Sequence, residues 1–230
     1  MIAVADQPAE NPFWFWECFL VPMPTGKKAT NLRELLQGLR EMEESVLQFH
    51  LWQSRLATIQ PTIEYPNDFA LWAAAALHDE RLAEKLSSID PFAYENLGQI
   101  REALVDLLEE YLWDISHNPA VEPGFEFHFC EAAAAHMRSG MVARTLNEFS
   151  AGLREVGLDS VYFHVIEAQW RLGVRKLDDF SHWLDHNFTL PELVSAIRDI
   201  DIYFYTLEEV RETILALIEQ HAGESRGESE

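Results

Sequence analysis

The chain has 230 residues, 48% of them hydrophobic and 12% aromatic, enough apolar material for one large domain or two related halves of about 100 residues each. Its formal net charge of −22 sets it against nucleic acid and anionic membrane surfaces, because both ask for Lys and Arg close to phosphate. No apolar run approaches the roughly 20 residues that span a bilayer, and Asp6, Glu10 and Glu17 occupy the opening stretch where a signal would carry bases, so a cytoplasmic protein is expected.

In chain order, residues 1–11 read as a flexible start, followed by the alternating aromatics Phe13-Trp14-Phe15-Trp16, a segment compatible with a short strand. Helices are expected at 32–43, 46–59, 69–77, 80–88 and 97–112. Their start signals are a capping box at Asn31-x-x-Glu34, an N-cap at Ser45, Asp68 before Phe69-x-x-Trp72, Asp79, and a second box at Asn96-x-x-Gln99. Asn118-Pro119 and Pro123-Gly124 break helix and mark a linker over 113–124.

The pattern then recurs. Phe125 to Phe129 alternates again, and helices are expected at 146–156, 160–174, 180–187, 190–198 and 207–220, with boxes at Thr145-x-x-Glu148 and Thr206-x-x-Glu209. Residues 222–230 are polar and read as a disordered acidic tail. Aligned without a gap, Gly26–His50 and Gly140–His164 are identical in ten of 25 columns, Gly26/Gly140, Gly38/Gly152, Phe49/Phe163 and His50/His164 among them. Such self-similarity sets the architecture before anything else. The expected fold is all-α: two homologous halves of about five helices each, 12–112 and 125–221, related by a pseudo-twofold axis, each opened at most by a short strand.

The order Gly-x-x-Ala-x-x-Leu-x-Glu, Phe-His, Asn67-Asp68-Phe69-x-x-Trp72, Leu82-Ala83-Glu84 and Asp90-Pro91 resembles the bacterial and archaeal domain-of-unknown-function family 5752 over about residues 12–220. The second half departs from it at Asp201-Ile202. The resemblance implies the fold outline and brings no activity, cofactor or catalytic residue.

The polar positions shared by the halves divide into scaffold and candidates. Gly26/Gly140 precede a helix where a positive φ is useful, and Gly38/Gly152 inside a helix suggest a close helix crossing. His50 and His164 lie on apolar helical stripes; they are either neutral imidazoles satisfied by backbone and carboxylate, or the lining of a ligand pocket. Arg101 and Arg211, early in the last helix of each half, pair with Asp90 and Asp201 or grip an anion. His182 and His186 are spaced i, i+4 as two imidazoles sharing a metal would be, with Asp185 and His136 or His128 as further donors. Cys18 and Cys130 follow the aromatic segments and read as twinned buried thiols, without a Cys-x-x-Cys pattern for zinc. A nucleophile built from Cys130 and a histidine has no local signature behind it.

There is no Gly-rich phosphate loop, no Gly-x-Ser-x-Gly and no His-Glu-x-x-His, and no cofactor is expected. The leading functional expectation is a non-catalytic protein-binding or adaptor module, with a protein partner anchored on Trp14 and Trp16. The alternative is a small-ligand- or metal-dependent helical enzyme or sensor using the twinned histidines.

Overall fold

The computed structural model describes residues 4–57, 64–172 and 177–227. It corrects the all-α expectation: the two aromatic segments are not short openers but 17-residue strands, β1 (Phe13–Ala29) and β2 (Phe127–Ala143), which pair as a two-stranded antiparallel sheet, so the fold is α/β. Two features hid their length. Pro22 and Pro24 interrupt β1, and the run Ala132–Ala135 in β2 favours helix over strand. A two-stranded ribbon tolerates both prolines, because residues two apart turn their backbone nitrogens to the same, unpaired edge.

The chain packs as two compact units whose borders fall inside the strands: a contiguous unit, Leu20–Ala134, and a split unit, Met1–Phe19 with Ala135–Glu230. The tandem halves of the sequence therefore exchange their strand segments, since Phe13–Phe19 belongs with the second set of helices. Antiparallel register is marked once in each unit. Thr25 Oγ1 donates to the Phe129 carbonyl (2.8 Å), and Ser139 Oγ to the Phe15 carbonyl (3.0 Å). Gly26 and Gly140, expected before helices, lie within the strands at φ of 80° and 87°, the conformation a bulge requires and other residues resist.

The contiguous unit carries α1 (Leu32–Glu41), α2 (Glu44–Gln48), a π-helical turn (Phe49–Gln53), α3 (Ser54–Ala57), α4 (Asp68–Ala75), α5 (Glu80–Ser87) and α6 (Leu97–Asp114). The split unit carries α7 (Leu146–Glu155), α8 (Leu158–Val161), a π-helical segment (Tyr162–Glu167), α9 (Ala168–Arg171), α10 (Asp179–Asn187), α11 (Pro191–Arg198) and α12 (Leu207–Gly227). The helices expected at 46–59 and 160–174 are thus each interrupted by a π segment, and their ends at 58–59 and 173–174 lie outside the described residues. α12 continues through 222–227, part of the stretch read as a tail; residues 228–230 lie outside the described residues. No helix of the described residues is long and apolar enough to cross a membrane.

Capping follows the sequence in part. Asn31, Thr145, Asn96 and Thr206 each accept from the N–H three residues on, while the Glu or Gln at that position reaches back to the chain near the cap. Ser45 is not an N-cap; Glu43 stands there, and Ser45 Oγ donates to Glu131 instead (2.8 Å). The caps before Phe69 and Phe180 are Asn67 and Asp178, one residue earlier than expected.

That last pair yields a prediction. Asp178 is fully buried, and burial pushes its carboxyl above the usual range even though Ser181 N–H donates to it (2.8 Å). Its counterpart is the neutral Asn67, which accepts from Ala70 N–H and donates to the Leu86 carbonyl (3.1 Å). Asn and Asp are equal as N-caps, so Asp178→Asn keeps the cap and removes a buried charge. Urea unfolding at neutral pH is expected to show a gain of about 1–2 kcal/mol.

Each unit's core forms where helices close over strand aromatics. In the split unit Phe13 and Phe15 pack with Phe149, Phe180 and Trp183; in the contiguous unit Phe127 and Phe129 pack with Phe69 and Trp72. The ring of Phe129 lies over Gly38, and that of Phe15 over Gly152. These glycines admit an aromatic from a strand, not a crossing helix.

Candidate functional site

His50 and His164 sit in the π segments, 3% and 2% exposed. In the split unit His164 Nε2 accepts the Trp16 backbone N–H (2.9 Å), and His164 Nδ1 lies 2.8 Å from Asp179 Oδ2. In the contiguous unit His50 Nε2 accepts the Cys130 N–H (2.9 Å), and His50 Nδ1 lies 2.7 Å from Asp68 Oδ2. Because Nε2 accepts, the proton of each neutral ring is on Nδ1 and points at the carboxylate. Trp183 and Trp72 add a second tie, donating from Nε1 to the carbonyls of Asn11 and Phe125 just before each strand (2.7 Å both). Both histidines are clasps that hold a strand to its helices, each with both nitrogens engaged. The two rings belong to different units.

The same register shows that Cys18 and Cys130 are not counterparts. Cys130 matches Trp16, and the position matching Cys18 is Ala132. Both thiols are free, and burial raises both above the ordinary thiol range, with Glu167 adding to the effect at Cys18 and Asp68 at Cys130. A raised thiol beside a histidine already bound to the backbone is not an activated nucleophile.

Arg101 and Arg211 do not reach Asp90 and Asp201. Arg101 Nη1 donates to the carbonyls of Leu39 and Met42 (2.8 and 2.6 Å), closing the C-terminus of α1, where a cation suits the helix dipole. Arg211 reaches the Arg154 carbonyl at the end of α7 (3.4 Å) and pairs with Glu208 (3.2 Å). Asp90 and Asp201 accept from Phe92 N–H and Tyr203 N–H, as turn residues.

The split unit holds a cleft of about 600 Å³ lined by Trp14, Trp16, Phe163, Trp183, Arg171 and Asp179, with His136, His164, His182 and His186 among its other walls. Trp16 stacks on Phe163 (6.1 Å, 25°), and the Arg138 guanidinium lies over Trp14 and Trp16 at 4.7 and 5.4 Å. Arg171 lies over Phe163 (4.9 Å) and binds Asp179 Oδ2 (2.6 Å). His182 and His186 share the exposed face of α10 with ring centres 4.2 Å apart, but His186 Nδ1 donates to the His182 carbonyl and Asp185 pairs with Arg198 (3.1 Å). Next to the cleft's His136 wall, donor atoms of Cys18, His136 and Glu167 lie within 4.8 Å of one another.

A family model described as "Family of unknown function (DUF5752)" matches residues 10–219. The chain belongs to this family. It is also similar to a solved structure, OrfY from Thermoproteus tenax, with 28% identity, a TM-score of 0.77 and coverage of 94% of this chain and 98% of that one. None of the curated proteins compared with the chain matches it. The family thus comes without an activity attached, and function has to be read from the site.

In this family member the cleft's chemistry is confined to one unit. The contiguous unit puts His128 and Cys130 where the cleft has Trp14 and Trp16, Ala57 for Arg171, and Leu71 and Ala75 for His182 and His186. The sequence had singled out Trp14, Trp16, His182 and His186 separately, and only the fold brings them to one cleft. Arg138 and Arg171 carried no signal of their own, and Phe163 only that of a repeated position. What they meet depends on which strand segment joins which helices.

Proposed function

We propose that the split unit is a binding module for a small planar anion, held in the cleft between aromatic walls. The observation that carries this reading is a concave site walled by Trp14 and Trp16 and carrying Arg171, with the Arg138 guanidinium over both indoles, in a chain whose net charge is −22. Flat aromatic walls favour a planar group, and a guanidinium fork favours carboxylate or phosphate. The carboxylate in the wall, Asp179, is already held by His164 and Arg171. Binding rather than turnover fits the site, since His164 spends both nitrogens on the fold. The adaptor expectation needed Trp14 and Trp16 as protruding anchors; as walls packed by Arg138 and Phe163 they favour a small ligand over a protein face.

Calorimetric titration with a panel of aromatic carboxylates and nucleoside monophosphates tests the reading. At least one member should bind with a Kd well below about 1 mM, and Trp14→Ala and Arg138→Gln should each weaken it about tenfold, or about 1.4 kcal/mol. Trp14 is 38% exposed and Arg138 lies at the surface, so neither change should disturb folding. A panel without a binder, or binding indifferent to both substitutions, would sink the proposal.

A further inference from the structure

We infer that Cys18, His136 and Glu167 form a three-ligand site for a divalent transition metal, with zinc the ion that best fits a thiolate, an imidazole and a carboxylate. Cys18 Sγ lies 3.3 Å from Glu167 Oε2, and His136 Nε2 lies 2.9 Å from Glu167 Oε1. Donors around one tetrahedral zinc at 2.0–2.3 Å stand about 3.3–3.8 Å apart, so small side-chain adjustments admit an ion. The thiol is fully buried, the carboxylate half-buried and the imidazole at the surface, so the site has a solvent side by which an ion enters. Asp159 adds a negative charge near Cys18.

The second unit supplies the control. Its residues at the positions matching Cys18, His136 and Glu167 are Ala132, Pro22 and Gln53, none of which fits a zinc site. The scaffold therefore does not need this trio, and its convergence in one unit alone calls for a reason other than folding. Three protein ligands leave a fourth position for water or substrate, the arrangement of catalytic rather than structural zinc. On binding, the S–H bond of Cys18 breaks, its proton leaves to solvent, and the sulfur–metal bond replaces the hydrogen bond to Glu167. This site adjoins the cleft of the planar-anion reading through His136, which lines both, while Cys18 and Glu167 do not line that cleft.

The test is a Co²⁺ titration of the full chain after chelator treatment, followed by displacement with Zn²⁺. One equivalent of Co²⁺ should bind with a thiolate-to-cobalt charge-transfer band, and Zn²⁺ should abolish that band. Cys18→Ala should remove it and Cys130→Ala should leave it intact. Glu167→Gln and His136→Ala should weaken zinc by about 100-fold or more, since even outer-shell partners are worth 10–100-fold. Alanine and glutamine already occupy the matching places in the contiguous unit, so the Cys18 and Glu167 variants should fold. Absence of binding, a band that survives Cys18→Ala, or a band lost equally in His182→Ala/His186→Ala overturns the assignment.

Discussion

Replacing His164 with alanine is expected to destabilise the split unit by about 3–5 kcal/mol, and His50→Ala to do the same in the contiguous unit. Each change leaves a strand N–H, that of Trp16 or Cys130, without its acceptor, and a part-buried carboxylate, Asp179 or Asp68, without its imidazole partner. It also opens a hole among aromatics, because His164 packs on Phe13 (4.8 Å) and Phe180 (5.2 Å) and His50 on Phe127 (4.6 Å) and Phe69 (5.7 Å). Urea unfolding gives the loss. Amide hydrogen exchange should localise it, with the Trp16 N–H losing protection in one variant and the Cys130 N–H in the other. Unchanged stability with lost ligand binding would instead make the histidines ligand contacts.

Acid should mimic the first of these variants. Burial holds the His164 imidazole below its ordinary range against the opposing pull of Asp179. The unfolded chain therefore takes up the proton first, near the unperturbed pKa of about 6.5, and the folded chain only at lower pH. The stability tied to neutral His164 is complete above that value and is lost as the pH falls below it. Thermal unfolding between pH 7 and 5 should show the decline, and it should be smaller in His164→Ala.

The second large effect belongs to the glycines under the strand aromatics. A Cβ on Gly38 would come to 2.1 Å from Phe129 Cζ, and one on Gly152 to 2.6 Å from Phe15 Cε2. Both rings are buried against other aromatics and cannot swing away cheaply. On an exposed helix Gly→Ala would stabilise by about 1 kcal/mol. Here Gly38→Ala and Gly152→Ala should destabilise by about 3 kcal/mol, the upper range for overpacking. Phe129→Leu in the Gly38→Ala background should recover part of that loss. If Gly38→Ala raises the unfolding midpoint, the ring is not seated as described.

Local signals were legible where a residue acts on its own backbone neighbours. The capping boxes at Asn31, Asn96, Thr145 and Thr206 depend on a side chain and an N–H three residues away, and sequence spacing contains both. The matched Phe-His pairs were legible as buried imidazoles because they sit on apolar stripes. Asp68 was read as the start signal of its helix, since an Asx before a helix looks the same whether it caps or reaches a histidine 18 residues back. The glycines at 38 and 152 announced a close approach without saying what approaches.

What the sequence determined by itself is the approximate place of most helices, the four capping boxes, the acidic charge and the likeness of two stretches identical in ten of 25 columns. Those properties follow from interactions spanning three or four residues, or from composition. What tertiary structure decided is the length of the strands, their exchange between the helical sets, and the meeting of Trp14, Trp16 and Cys18 with His136, Phe163 and Glu167. Strand pairing joins residues more than 100 positions apart, such as Phe15 and Ser139. Its free energy lies in contacts that neither segment makes alone, which is why prolines and an alanine run could conceal the strands from any local reading.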